Sequence, residues 1–214
     1  MNDERLRIYL ESLEPECSAL IREIREHAAE HFVPIIRPET AAFLKMLVAL
    51  KQPKAILEVG TATGYSALRM SEALSEDGRI TTIEKYEKRI PIARENFKRA
   101  GKEQQIQLLE GDAAKVLTTL AGPYDFIFMD AAKGQYLHFL PEVMRLLLPG
   151  GVLVTDNVFQ DGMLLESRYA VPRRDRTIHG RMRDYLYELK YRKDLETSIV
   201  PIGDGVTVSV RIKG

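Results

Sequence analysis

From residue 55 onward, short apolar runs alternate with amphipathic stretches, and this alternation limits the possible folds more than any other feature of the chain. The runs Ala55–Gly60, Arg79–Glu84, Ile106–Asp112, Tyr124–Asp130 and Gly151–Asn157 have strand length and strand chemistry. Stretches near 65–74, 87–100, 113–120 and 135–147 lie between them and carry helical spacing. Short apolar strands separated by helices predict a mostly parallel sheet covered on both faces, the doubly wound Rossmann-like α/β fold.

Both ends of the chain depart from this pattern. Leu6, Tyr9, Leu10 and Leu13, then Leu20, Ile21, Ile24 and Ala28, recur at helical spacing. Pro34 and Pro38 interrupt them before Phe43, Leu44, Leu47 and Val48 begin another stripe, so residues 1–50 read as a helical extension. After a helix expected near 176–191, the β-rich runs Thr197–Ile202 and Val206–Ile212 flank Gly203-Asp204-Gly205. Glycines there suit a hairpin connection, which predicts five parallel strands closed by an antiparallel pair. No repeat or linker divides the chain, so 1–214 reads as one domain with its α/β core over 55–214.

In an open α/β sheet, ligands sit beyond the carboxyl ends of the strands. The first strand runs into Glu58-Val59-Gly60-Thr61-Ala62-Thr63-Gly64-Tyr65-Ser66, where glycines permit a sharp turn and a close approach. Glu84 ends the second strand, where an acid can accept the hydroxyls of a ribose. Gly111-Asp112-Ala113 ends the third and places a carboxylate where an adenine amino group could donate. A dinucleotide fingerprint starting at Gly60 would need glycine where Ala62 and Tyr65 stand, which disfavours an NAD-dependent oxidoreductase. An acid at Glu58 would repel phosphate but suits a cationic donor, and S-adenosylmethionine has a sulfonium, an amine and a ribose. The plainer alternative is an ordinary strand-to-helix turn at Gly60 and Gly64.

The fourth strand ends at Asp130 and the fifth at Asp156-Asn157. As sheet neighbours, these would bring two carboxylates and an amide to one rim, an all-oxygen set suited to Mg²⁺ or another hard divalent cation. Cap and turn roles are the alternative for each residue taken alone. Lys133 follows Asp130 by three positions and would lean over the same place. A nearby cation would lower its pKa and suit it to general-base duty, against the plain reading of a solvated loop lysine.

The runs Glu58–Ser66, Asp130-Ala131-Ala132-Lys133-Gly134-Gln135-Tyr136 and Thr155-Asp156-Asn157-Val158 resemble the catechol and caffeoyl-coenzyme A O-methyltransferase family over nearly the whole chain. The resemblance implies S-adenosylmethionine as methyl donor, with Ile36, Ser66, Glu84, Asp112 and Asp130 at the cofactor. It also implies Mg²⁺ on Asp130, Asp156 and Asn157, Lys133 as the base, and a homodimer, common among relatives. Within the family, Val33-Pro34-Ile35 and Val200-Pro201-Ile202-Gly203-Asp204-Gly205 resemble the bacterial tRNA 5-hydroxyuridine methyltransferases, which make 5-methoxyuridine at the wobble position. Position 36 is Ile where those relatives carry Met, an apolar exchange.

A catechol and a 5-hydroxyuridine both present two adjacent oxygens, so the site chemistry alone does not choose between them. The stretch 168–183 holds Arg168, Arg173, Arg174, Arg176, Arg181 and Arg183 against Asp175, with Tyr169 among them. Such a block suits phosphate contacts and base stacking on a tRNA anticodon loop. Arg173, Arg174, Arg176 and Arg181 are the expected RNA contacts. The competing acceptor is a small catechol-like or hydroxycinnamoyl-CoA-like compound. A non-catalytic RNA-binding module is a third reading, which the intact oxygen set and Lys133 disfavour. Lysine plus arginine equals aspartate plus glutamate at 31 each, so total charge is silent on nucleic acid. A single cysteine, Cys17, excludes an internal disulfide, and a charged N-terminus without a long apolar run points to a cytoplasmic protein off the membrane.

Overall fold

The computed structural model describes residues 4–212; of the side chains of Glu4, Leu6, Arg7, Leu10, Glu11 and Lys133 nothing is described. Three helices open the chain: α1 (Glu4–Leu13), α2 (Ala19–Glu30) and α3 (Pro38–Lys51). The Ser18 hydroxyl caps α2 by accepting from the Ile21 N–H, and Pro38 starts α3, where its missing N–H costs nothing. The alternation then follows: β1 (Ala55–Val59), α4 (Tyr65–Ser71), β2 (Arg79–Glu84), α5 (Ile90–Arg99), β3 (Ile106–Glu110) and α6 (Ala113–Thr119). It continues through β4 (Tyr124–Met129), α7 (Tyr136–Leu146), β5 (Leu147–Thr155), α8 (Arg176–Tyr191), β6 (Leu195–Val200) and β7 (Val206–Arg211).

These strands form one sheet in the order β3-β2-β1-β4-β5-β7-β6. The first five are parallel, while β7 runs antiparallel to both β5 and β6. The expected closing hairpin is therefore present, and β7 rather than β6 is the strand that touches the parallel set. Alternation along the strands fills both faces. Ile56, Phe126, Phe128 and Val154 pack under α3, α4 and α5, while Leu57, Val59, Ile127, Met129 and Leu153 pack under α6, α7 and α8. Each such fully buried side chain contributes about 1.5–3 kcal/mol, so the sheet is a stiff platform for whatever stands at its strand ends.

Some boundaries differ from expectation. The fifth strand begins at Leu147 rather than Gly151, with a register shift against β4 between Tyr124 and Phe126. The helix expected over 87–100 starts at Ile90, followed by Pro91, since proline favours the first turn. The sheet's strand order reverses between β1 and β4, which start their crossovers to opposite sides and leave a crevice above their carboxyl ends.

Candidate active site

A cavity of about 830 Å³ opens above the carboxyl ends of the parallel strands. Gly60, Glu84, Gly111, Asp112, Ala113, Asp130 and Asn157 all line it, so seven of the residues singled out at strand ends share one space. Ala62, Lys85, Tyr86, Arg89, Gln135, His138 and Phe139 complete much of the wall and were not singled out from sequence.

The turn after β1 is held tightly on β2. Gly60 and Thr61 both donate their backbone N–H to the Ile83 carbonyl at 3.1 Å. Gly60 has φ of 109°, and a Cβ there would overlap the Asp130 carbonyl oxygen, so only glycine lets β1 and β4 close at this point. Glu84 is buried and accepts three backbone N–H groups, from Ala62 at 2.8 Å and from Lys85 and Tyr86 at 2.9 Å. Those bonds fix the carboxylate and leave acceptor capacity for a further donor in the cavity. Asp112 caps α6 through the Ala114 N–H at 2.9 Å and lies 3.5 Å from the Lys85 ammonium.

Glu58 and Ser66 occupy a different place from the one expected. Both are buried behind the cavity wall, where Ser66 Oγ donates to Glu58 Oε1 at 2.5 Å. The Thr82 hydroxyl meets Glu58 Oε2 at 2.5 Å and in turn pairs with Thr61 at 2.6 Å. Burial pushes the Glu58 carboxyl up to about 8, against the two hydroxyl hydrogen bonds, which pull it down. At neutral pH it holds its proton and braces the β1 turn from beneath. The negative charge expected to favour a cationic ligand is thus not presented to the cavity at Glu58. Ile36 is likewise buried in the core below α3, and Pro34 from the same segment reaches the cavity instead.

The other side of the crevice is built by β4 and β5. Met129 pairs with Thr155, so the next residues, Asp130 and Asp156, stand side by side at the strand ends. The Asp156 N–H donates to the Met129 carbonyl and the Asp130 N–H to the Val59 carbonyl, both at 3.0 Å, which locks three strand ends together. Asn157 adopts φ of 60°, a left-handed conformation that asparagine tolerates better than most residues. Its Nδ2 donates to Asp130 Oδ1 at 2.9 Å and lies 3.5 Å from Asp156 Oδ2. An N–H thus points between two carboxylates, which marks the place where positive charge is most stabilised.

That donor set fits a hard divalent cation. Two carboxylates supply oxygen directly, and a half-turn of the Asn157 amide would present Oδ1 in place of Nδ2. Among the described residues no cluster of three or more His, Cys, Asp or Glu could hold a metal, and this rim qualifies only because the amide is its third donor. Tyr136 and Tyr185 support it from below. Tyr136 Oη donates to the Asp156 carbonyl at 3.2 Å, Tyr185 Oη pairs with Thr155 at 2.6 Å, and their rings lie 5.5 Å apart. Burial, with Asp130 and Asp156 nearby, holds the Tyr136 phenol well above its ordinary pKa, so it remains a donor. Lys133 opens a short 3-10 turn directly after Asp130, but its side chain lies outside the described residues.

The arginine block divides. Arg176 donates to the Val171 and Tyr169 carbonyls, Arg181 to Gly134, and Arg183 to Leu164 and Glu166, so these three tie loops to α8. Arg173 and Arg174 are exposed, as is Tyr169, and Arg174 faces Asp175 at 3.4 Å.

The sheet order, the crevice and the acid-tipped strands are those of the S-adenosylmethionine-dependent methyltransferases. A family model described as O-methyltransferase matches residues 11–212. The chain is 33% identical to caffeoyl-CoA O-methyltransferase 2 of Populus trichocarpa over 94% of its own length and 83% of the relative's. It is 40% identical to a catechol O-methyltransferase of Niastella koreensis over 141 residues, 64% of each chain. A solved O-methyltransferase from Bacillus cereus, in complex with S-adenosylhomocysteine, superposes with a TM-score of 0.86 at 25% identity, covering 97% of both chains. The chain belongs to the O-methyltransferase family, as its motifs led one to expect.

Proposed function

We propose that this protein moves a methyl group from S-adenosylmethionine to one oxygen of a small acceptor bearing two adjacent oxygens, of the catechol or hydroxycinnamoyl-CoA type, with Mg²⁺ or a similar cation. The observation that carries this reading is the meeting, in one cavity, of Glu84 and Asp112 from one side and Asp130 and Asn157 from the other, with buried Asp156 beside the Asn157 amide. Curated relatives named for catechol and caffeoyl-CoA support that acceptor class over tRNA.

Glu84, already oriented by three N–H donors, binds the ribose, and Asp112 at the mouth accepts from the adenine amino group. The turn at Gly60–Ala62, which lines the cavity, would lie against the bound donor. Asp130, Asp156 and Asn157 hold the cation, with Tyr136 fixing the Asp156 backbone. When bound, the donor supplies an electrophilic methyl group, and the cation positions and acidifies an acceptor hydroxyl. Lys133, adjacent in sequence to this rim, takes the hydroxyl proton.

Methylation of a caffeoyl-type catechol by the purified protein, lost with chelator and restored by Mg²⁺, is the expected result; turnover indifferent to chelator would overturn the metal assignment. A second reading rests on the exposed Arg173, Arg174 and Tyr169, which form a basic, aromatic edge suited to the 5-hydroxyuridine loop of tRNA. Salt-dependent tRNA binding that disappears in R173A/R174A, with methyl transfer to the tRNA, would establish it in place of the first.

A further inference from the structure

The segment that follows Asn157 is unusually strained. Asn157, Gln160 and Asp161 have φ of 60°, 54° and 54°, and Gly162 follows at 85°. Three L-residues in left-handed conformations within five positions persist only where the surroundings over-determine them. The surroundings come from the turn between β6 and β7. The Asp204 carbonyl accepts the Phe159 N–H at 2.8 Å, the Gly205 carbonyl accepts the Val158 N–H at 3.1 Å, and Asp204 Oδ1 accepts the Asp161 N–H at 2.6 Å.

Asp204 is buried, and the glycines beside it admit no side chain. A Cβ at Gly205 would overlap the Phe159 ring, and one at Gly203 would overlap the Thr40 hydroxyl. The turn is therefore wedged between the start of α3 and the segment after Asn157. Arg37 completes the junction from the α3 side, reaching Asp161 Oδ1 at 3.2 Å. Two residues of one turn thus hold three amides of the strained segment, beginning one position after an amide placed at the cation rim.

We propose that Asp204 is a positioning residue for the cation site: by holding the Asp161 N–H with its carboxylate, beside the backbone bond to Phe159, it keeps Asn157 in the left-handed conformation that aims its amide between Asp130 and Asp156. It touches neither donor nor acceptor. The inference rests on the metal reading given above. A residue that holds a metal ligand in place without touching the ion is worth roughly 10–100-fold in metal affinity.

The test is Mn²⁺ binding, followed by the electron paramagnetic resonance of the free ion, with S-adenosylmethionine affinity measured in parallel by calorimetry. D204A should bind Mn²⁺ about 10-fold or more weakly while keeping its affinity for S-adenosylmethionine. D204N, which retains an oxygen acceptor, should recover most of the loss. D204A binding Mn²⁺ as the unaltered protein does would overturn the proposal alone. Failure of the unaltered protein to bind Mn²⁺ would overturn the metal reading and the proposal with it. If D204A does not fold, the unaltered protein decides: Mn²⁺ should slow amide exchange at Val158, Phe159 and Asp161, since coupling between ion and anchor is reciprocal. Exchange at those amides that ignores Mn²⁺ would refute the anchor.

Discussion

The two halves of the crevice are built on opposite principles. At the ends of β1, β2 and β3 the carboxylates are saturated, with a single non-glycine left-handed residue, Ala62 (φ 47°): Glu84 carries three backbone N–H bonds, and Glu58 is enclosed by two hydroxyls. Over β4 and β5 the backbone is strained at Asn157, Gln160 and Asp161, and both amide atoms of buried Gln160 lack a partner among the described residues. The first half is a finished socket for a ligand of fixed shape. The second stores strain around a rim that an ion and an acceptor would complete, as active sites often do.

The comparison predicts that damage to the two halves separates into different observables. The largest effect belongs to the strained half. D156A should lower turnover about 1,000-fold, since a lost Lewis acid removes several kcal/mol of transition-state stabilisation, while donor affinity changes little. Equal losses in both quantities, measured by kinetics and calorimetry, would erase the distinction. G60A strikes the seam where the halves touch, because the new Cβ overlaps the Asp130 carbonyl at a φ that suits glycine. It should cost about 2–3 kcal/mol, lowering Tm by roughly 5–10 °C, and weaken both halves together.

E84A acts on the saturated half alone. Three N–H groups lose their acceptor and the ribose loses its partner, so donor affinity should fall about 10–100-fold at unchanged Mn²⁺ affinity. Glu58 gives a pH signature in the same half. Its folded pKa of about 8 lies above its ordinary value, so the protonated form is favoured by folding. Its stabilising contribution is complete below pH about 4.5 and is lost as pH rises through about 8. Thermal melts should show the unaltered protein losing stability relative to E58Q across that window; parallel curves would mean Glu58 is charged in the fold. The smallest effect belongs to R173A/R174A, which should leave small-acceptor kinetics within about two-fold, as exposed charges away from the rim contribute little.

The saturated half was the more legible in sequence. Short apolar runs name the strands, and glycine or acid at each carboxyl end names the rim, because the fold puts every such end on one side. What sequence could not show was depth. Glu58 and Ser66 carry the right chemistry at the right loop, yet the alternation of β1 sends Glu58 inward on the same face as Ile56, where Ser66 and Thr82 close over it. The strained half depends on contacts far apart in the chain. Asp204 reaches Asp161 across 43 residues and Arg37 reaches it across 124, and no local pattern announces either bond. The arginine block was only partly legible for a related reason: Arg176, Arg181 and Arg183 have their partners in carbonyls of loops, which composition does not reveal.

The most direct test of the account is methyl transfer from labelled S-adenosylmethionine to a caffeoyl-type catechol, run with Mg²⁺, with chelator, and with Mg²⁺ restored. The account predicts one labelled methyl group on a catechol oxygen, lost under chelator and recovered with the ion. Transfer that persists without any divalent cation, or none to a catechol under any condition, would contradict it.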